Sequence, residues 1–239
     1  MFNEKNLALE YHQLIKICSE TNIRISETDI NQIEKDTRSQ SKGRAFFRHR
    51  ASRIGASVSK QASHTNPAQP SQSLIKSICY PDLFQFHSAA TDHGCKHEQD
   101  AINAFEQKMK MLHVNYQIIK CGMFVHQDFP WLHGTPDFLS CCDCCGEGCG
   151  EVKCPFCLDG VDFKSYATKP NSCLETIDDE MHLKRKHPYY YQVQQQLFAT
   201  NKAFCDFVVC GFTDTAADFF HERFMPDELH WNHVLPKLS

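Results

Sequence analysis

The sequence predicts an α/β fold, or α+β in its layering, within one domain, and three observations carry that reading. Segments with helical and strand periodicity follow one another as helix, several strands, helix, strand, strand, helix. Of the 239 residues 41% are apolar and 23% charged, enough to bury a sizeable core and unlike a disordered composition. No apolar run approaches the roughly 20 residues that a membrane-crossing helix needs, and the opening MFNEKNLALEYHQ puts acidic and polar residues where a signal peptide has basic and apolar ones. The expectation is an intracellular protein of a reducing compartment, cytoplasm or nucleus, with no membrane partner.

The elements follow in order. Leu7, Tyr11, Leu14, Ile15 and Cys18 fall on one helical stripe, and Ser26 with Asp29 three residues on forms a capping box for a second helix carrying Ile30 and Ile33. Residues 1–35 thus read as an N-terminal helical extension to a domain over 36–239. The polar, proline-bearing stretch 61–73 reads as an exposed loop. A helix is expected from about His93 to Leu112, with Ala101, Phe105, Met109 and Leu112 on its apolar stripe. Glu98 lies on that stripe too, which is costly for a carboxylate unless it is paired or metal-bound; a helix starting later would instead put it at the positive N-terminal end. Strand patterns follow at 115–125, 136–142 and 150–154, the last two joined by a hairpin of Cys, Gly and Asp. Residues 189–200 read as a helix, 203–212 as a buried strand, 217–224 as a half-buried strand, and a final helix begins near Asp227.

The net charge of -4, from 25 Lys+Arg and 29 Asp+Glu, predicts no acidic partner for the molecule as a whole. Its distribution is uneven: Lys42, Arg44, Arg48, Arg50, Arg53 and Lys60 follow one another with no acidic residue between, the pattern of a local anion site or of a solvated helix face. Seven of the 14 cysteines crowd between Cys141 and Cys157. That crowding does not suit a disulfide framework, and free thiols or metal binding are the better readings.

Asp137, Glu151 and Lys153 carry the chemistry. A strand alternates its side chains, so Glu151 and Lys153 share one face while Val152 and Cys154 take the other. Asp137 opens the preceding strand of the same hairpin. Two carboxylates on neighbouring strands suit a hard cation such as Mg²⁺ or Mn²⁺, and a lysine two residues along could orient a water and offset charge on a phosphate. On its own, Glu-x-Lys is equally a cross-paired solvated strand face.

Asp137 followed by EVK at 151–153 and then CP resembles the active site of the PD-(D/E)xK nuclease superfamily. Within it, the chain resembles the phage lambda exonuclease and YqaJ-like viral recombinase family, from about Asp36 to the C-terminus. TRSQSKGRAFFRHRASRIGAS (37–57) is similar to the family's basic opening, GCKHEQDA (94–101) to its Gly-x-x-x-Glu helix motif, and GTPDF (134–138) stands at its Ser-Pro-Asp-Gly. EVKCPF (151–156) matches Glu-x-Lys-Cys-Pro, and HPYYYQVQQQLFAT (187–200) resembles the helix with Tyr-x-x-Gln-Val-Gln. Phe46 replaces the usual Trp, Gly55 a Thr and Phe138 a Gly.

The resemblance implies a restriction-endonuclease-like core, a central mixed β-sheet flanked by helices. It implies a metal-dependent deoxyribonuclease, a 5′-to-3′ exonuclease on linear double-stranded DNA in recombination or DNA repair. One or two Mg²⁺ or Mn²⁺ ions would be held by Glu98, Asp137, Glu151 and the Val152 carbonyl. Lys153 would position or deprotonate the attacking water, Gln192 would contact that lysine or the water, and Gln196 lies one turn along the same face. Arg50 and Ser57 match positions that bind a 5′-end phosphate, with Arg53 as the family's second arginine, one helical turn from Arg50. A homotrimer and a single-strand annealing partner are further implications. The alternatives are a restriction-like or structure-specific endonuclease, and a catalytically silent DNA-binding module. Cys142-x2-Cys145 with Cys154-x2-Cys157 has the form of a four-thiolate Zn²⁺ site, against the reading of small buried thiols in a Gly-rich turn.

Overall fold

A computed structural model describes residue 6 and residues 8–84, 88–212 and 217–239. Its centre is a five-stranded mixed sheet in the order β10-β9-β6-β5-β2, made by β2 (Gln117–Ile119), β5 (Phe138–Cys142), β6 (Gly146–Lys153), β9 (Phe204–Phe212) and β10 (Ala217–Phe224). The β6–β9 pair is parallel and the other three are antiparallel. Strand β9 is buried along nearly its whole length, as a continuous apolar run predicts for a strand covered on both faces.

Two helices cover those faces, and alternation along β9 decides which residue meets which. Helix α6 (Ala89–Leu112) packs Ala101, Ile102, Phe105 and Met109 against Phe138, Val152, Val208 and Cys210. Helix α8 (Pro188–Thr200) packs Tyr190, Val193 and Leu197 on the other face, against Cys149, Cys205, Phe207 and Val209. The β6 residues with the parity of Cys149 are Glu151 and Lys153, so the strand's charged residues turn toward α8. Asp206 in β9 is fully buried and ion-paired, with Arg223 Nε at 2.8 Å and His221 Nε2 at 2.9 Å.

A smaller sheet, β1-β4-β3, lies beyond α8 and is made by β1 (Ile54–Gly55), β3 (Phe124–Val125) and β4 (Leu132–Gly134). Buried glutamines of α8 fasten these parts. Gln195 donates to the carbonyls of Ile54 (2.8 Å) and His133 (3.0 Å), while Gln194 donates to Met225 O (3.1 Å) and accepts from Asp227 N (2.7 Å). Gly134 lets β4 approach this helix closely, since a Cβ there would stand 3.0 Å from Gln196 Cα. Helices α4 (Ser59–His64), α5 (Gln72–Cys79) and α9 (Glu228–Leu238) share a third cluster around Leu74, Leu132, Trp231 and Val234. Ahead of them come α1 (Tyr11–Glu20), α2 (Glu27–Asp36) and α3 (Arg44–Arg50); between α6 and α8 lie α7 (Phe163–Ala167) and the hairpin of β7 (Leu174–Ile177) with β8 (Glu180–Leu183).

Several expected elements shift, each for a local reason. The stretch at 115–125 is two strands in different sheets. Between them the chain docks under α2, where Gly122 N donates to Glu34 Oε1 (3.0 Å), Met123 N donates to Thr37 Oγ1 (2.7 Å), and a Cβ on Gly122 would lie 2.0 Å from Glu34 O. Residues 61–64 complete α4, with Ala62 and Ser63 buried, so the exposed stretch is shorter than 61–73. Helix α6 starts at Ala89 with Ser88 as its cap, which puts Glu98 in the helix body rather than its first turn. The Ser26–Asp29 capping box forms as expected, and Ile33 packs with Met123 and Val125. On α1, Ile15 and Cys18 are exposed, and Leu7 lies outside the described residues.

Candidate active site

Asp137 immediately precedes β5 and is locked to β6 twice. Its backbone N–H donates to Gly150 O (2.9 Å), and its Oδ2 accepts from Val152 N (2.6 Å). Phe138 keeps a negative φ, so no glycine is required there. Its ring covers Gly150, where a Cβ would come within 2.0 Å of the Phe138 ring. The large residue after Asp137 and the missing side chain at Gly150 are therefore one packing solution.

Glu151 is buried and has three side-chain donors. Its Oε1 accepts from Lys153 Nζ and from Gln192 Nε2 (2.5 Å), and its Oε2 accepts from Gln196 Nε2 (2.6 Å). Gln196 also donates to Thr135 O (3.2 Å). Gln192 thus reaches Glu151, because α8 crosses directly over the Glu151 side of β6. Lys153 lies over the Tyr189 ring, 4.7 Å from its centroid. Burial alone would lower its pKa, but the carboxylates of Glu151 and Asp137 raise it and keep the ammonium charged.

Glu98 arrives from α6 and is half-buried beside this group. Burial, then the Glu151 charge, raises its carboxyl above the usual range, partly offset by Lys153 and Lys42. Asp137 is pushed well above its ordinary value by burial first and then by Glu151 and Glu98. Three carboxyls within each other's field, with one ammonium among them, form a set that a hard dication would compensate. They are not drawn as tightly as a closed coordination sphere: among the described residues, the one group of His, Cys, Asp or Glu with all ligand atoms within 4.8 Å is elsewhere.

Cavities open around the acids. One of about 450 Å³ is lined by Glu98, Glu106 and Asp137 together with Arg38, Lys42 and Lys120, so acids and cations share its wall. Another of about 160 Å³ is lined by Arg50, Ser57, Gln40, His133 and Thr135, and also by Gln192 and Gln196. The basic segment and the Glu151 glutamines therefore share one cavity. Buried polar atoms of His133, Thr135 and Gln196 in its wall have no protein partner, and burial with the nearby Arg50 and Arg53 charges lowers the His133 pKa to about 3, leaving it neutral. Gly55 makes room for that ring, since a Cβ there would lie 2.8 Å from His133 Nε2.

Arg50 and Arg53 do not act as the expected pair. Helix α3 ends at Arg50, Ser52 takes a positive φ of 64°, and Arg53 turns to the backbone, donating to Pro130 O (2.9 Å) and His49 O (2.7 Å). Arg50 lies over Phe46, 5.1 Å from its ring centroid, and faces the cavity. Gln40, His133 and Thr135 escaped sequence reasoning. The only signal for the last two was their place just ahead of Asp137.

The expected thiolate set is not assembled either. Cys142 and Cys145 sit at the β5–β6 turn, whereas Cys154 follows Lys153 at the open end and packs beneath α6, and Cys157 is exposed. Strand geometry separates the two pairs by about 25 Å. Around Cys142 and Cys145 stand Cys144 and His113 instead. All fourteen cysteines are free thiols, and no described helix is long and apolar enough to cross a membrane.

Residues 45–203 match the YqaJ-like viral recombinase domain. The chain belongs to that family. The YqaJ-like match runs from α3 to just short of β9, so it takes in every site residue named above except Arg38, Gln40 and Lys42, while β9, β10 and α9 complete the sheet and core beyond it. Among solved structures, the alkaline exonuclease LHK-Exo of Laribacter hongkongensis superposes with a TM-score of 0.58 at 18% identity, covering 81% of this chain and 87% of that one. Its complex with dAMP gives the same values. A SOX–DNA complex has a TM-score of 0.60 at 12% identity, covering 95% of this chain and 73% of that one. At these identities the likeness shows a shared nuclease fold. No curated protein sequence matches the chain.

Proposed function

We propose that this YqaJ-like chain is a divalent-metal-dependent deoxyribonuclease that degrades linear double-stranded DNA from 5′ ends in recombination or repair. The observation that carries the reading is the convergence of Glu98, Asp137, Glu151 and Lys153, from α6 and from both strands of one hairpin, beside a cavity holding Arg50 and Ser57. The like-folded LHK-Exo was solved with dAMP and SOX with DNA, which is consistent with DNA as the substrate.

Glu98, Asp137, Glu151 and the Val152 carbonyl would hold Mg²⁺ or Mn²⁺, which supplies Lewis-acid polarisation of the scissile phosphate and acidifies a bound water. The chain's own residues do the rest. The Lys153 ammonium orients the attacking water and offsets negative charge gathering on the phosphate oxygens. Gln192 and Gln196 hold the Glu151 carboxylate in one orientation, so they are positioning residues. Arg50 and Ser57, with the unpartnered polar wall of their cavity, receive the terminal phosphate through charge-assisted hydrogen bonds. Lys42 and Lys120, on the wall of the cavity that holds Glu98 and Asp137, offer two cations to the DNA backbone, while Arg38 beside them is ion-paired with Glu34.

The test is digestion of labelled duplexes carrying 5′-phosphate or 5′-hydroxyl ends, alongside closed circles, with Mg²⁺, Mn²⁺ or chelator. The reading expects metal-dependent loss of linear DNA, spared circles and faster use of 5′-phosphate ends. Arg50→Ala should reduce that preference by about 10- to 100-fold, the size of one lost charged phosphate contact. Equal cutting of circles would favour an endonuclease, and no cutting with any divalent ion would leave a silent binding module.

A further inference from the structure

We propose that His113, Cys142, Cys144 and Cys145 form a structural Zn²⁺ site that ties the β5–β6 turn to the end of α6. The four ligand atoms all lie within 4.8 Å of one another. His113 Nδ1 is 3.1 Å from Cys144 Sγ, 3.5 Å from Cys145 Sγ and 3.7 Å from Cys142 Sγ, and Cys144 Sγ is 3.4 Å from Cys142 Sγ and 4.0 Å from Cys145 Sγ. Zinc–sulfur and zinc–nitrogen bonds of about 2.3 and 2.0 Å in a tetrahedron place neighbouring ligand atoms roughly 3.5–3.8 Å apart. Five of the six edges, from 3.1 to 4.0 Å, bracket that range, so a zinc ion fits with small side-chain adjustments.

The surroundings are those of a thiolate cage. Cys145 N donates to Cys142 Sγ (3.3 Å), a hydrogen bond that favours the ionised sulfur. Three thiolates, a neutral imidazole and Zn²⁺ sum to one negative charge, and the Arg223 guanidinium interacts with the Cys145 sulfur. The turn is already docked on the segment after α6, with Asp143 N donating to Val114 O (3.0 Å) and Asn115 Nδ2 donating to Asp143 Oδ2 (2.7 Å). Soft sulfur ligands select zinc over the hard ions expected at the carboxylates. The site braces the two elements that carry Glu98, Asp137 and Glu151, from their far ends, and it stands whether or not those acids cut DNA.

The full chain, purified under reducing conditions without chelator from zinc-supplemented cells, should carry about one zinc per molecule by elemental analysis. Cys144→Ser is the decisive variant, because that thiol is exposed and its loss opens no cavity. It should drop the content below about 0.2 per chain and lower Tm by roughly 5 °C or more, and chelator should lower the parent to the same Tm. Cobalt substitution should give the intense visible bands of a tetrahedral thiolate centre in the parent and lose them in His113→Ala. Glu151→Gln and Cys157→Ser should keep their zinc. Less than about 0.2 zinc in the parent overturns the proposal, as does a full complement in Cys144→Ser, zinc lost in Glu151→Gln or Cys157→Ser, or a disulfide among these cysteines in freshly reduced, metal-free protein.

Discussion

At the open end of the β5–β6 hairpin stand Asp137, Glu151 and Lys153; at its turn, about 20–25 Å away by strand geometry, stand Cys142, Cys144 and Cys145. Both groups collect potential metal ligands on the same two strands, yet they are built in opposite ways. The oxygen end is buried, gathers like charges and relies on side chains distant in sequence: Glu98 from α6, Gln192 and Gln196 from α8. The sulfur end lies near the surface and takes three ligands from four consecutive residues, with one histidine from the segment after α6. Charge held under tension is useful where a substrate and a cation must come and go. A local cage of near neighbours is suited to holding a turn in place.

The largest expected effect separates the two ends completely. Glu151→Gln and Lys153→Ala should each reduce DNA cleavage by about 10³-fold or more, measured at saturating Mg²⁺, while the secondary structure seen by circular dichroism stays intact. Parent-like rates in both would remove the catalytic half of the contrast.

Asp206 sits between the ends, opposite Gly150 in register, and its ion pair with Arg223 leads to the sulfur end. Asp206→Asn should destabilise the fold by about 3 kcal/mol in denaturant titration, because it strands a charge partner of a fully buried group. Burial opposes ionisation of Asp206, but His221 and Arg223 win and hold its pKa below the ordinary carboxylate value. A depressed acid contributes its full stability above the unfolded value near 3.9 and loses it as pH falls through the lower folded value. The gap between parent and variant should thus persist at neutral pH and close only below about pH 4.

Asp137 gives the opposite sign. Its raised pKa means that folding favours the protonated acid, so the ionised form opposes folding at neutral pH. Asp137→Asn keeps an acceptor for Val152 N and should raise the Tm of metal-free protein by a few °C while abolishing cleavage. Mg²⁺ should raise the Tm of the parent and not of the variant. A fall in the variant's metal-free Tm would show that the carboxylate cluster is not under electrostatic tension. The smallest effect is expected of Cys157→Ser, an exposed thiol outside both ligand sets: stability within about 0.5 kcal/mol of the parent.

Much of the fold is legible in the sequence. Strand alternation placed Glu151 and Lys153 on one face and Val152 and Cys154 on the other, and α8, β9, β10 and α9 lie within a residue or two of where periodicity puts them. The inward Glu98 was readable because a carboxylate on an apolar stripe demands a reason. The two-strand break at Gly122 was not, since it depends on α2 docking from 88 residues away. The helical spacing of Arg50 and Arg53 does not bring their guanidinium groups together, because α3 ends at Arg50, three residues short of Arg53.

The sequence by itself determined the period of most elements, the composition of the core and which charged residues share a face at the hairpin's open end, because those depend on residues a few positions apart. Only the tertiary structure decided which cysteines meet, which glutamines hold Glu151, and that Arg50 and not Arg53 faces the cavity. Two Cys-x2-Cys pairs look adjacent along the chain, yet an antiparallel hairpin sends one to its turn and the other to its mouth, and a histidine 29 residues upstream fills the gap. Proximity in space follows from how extended strands pair and how helices cross them, and a one-dimensional spacing carries no record of either.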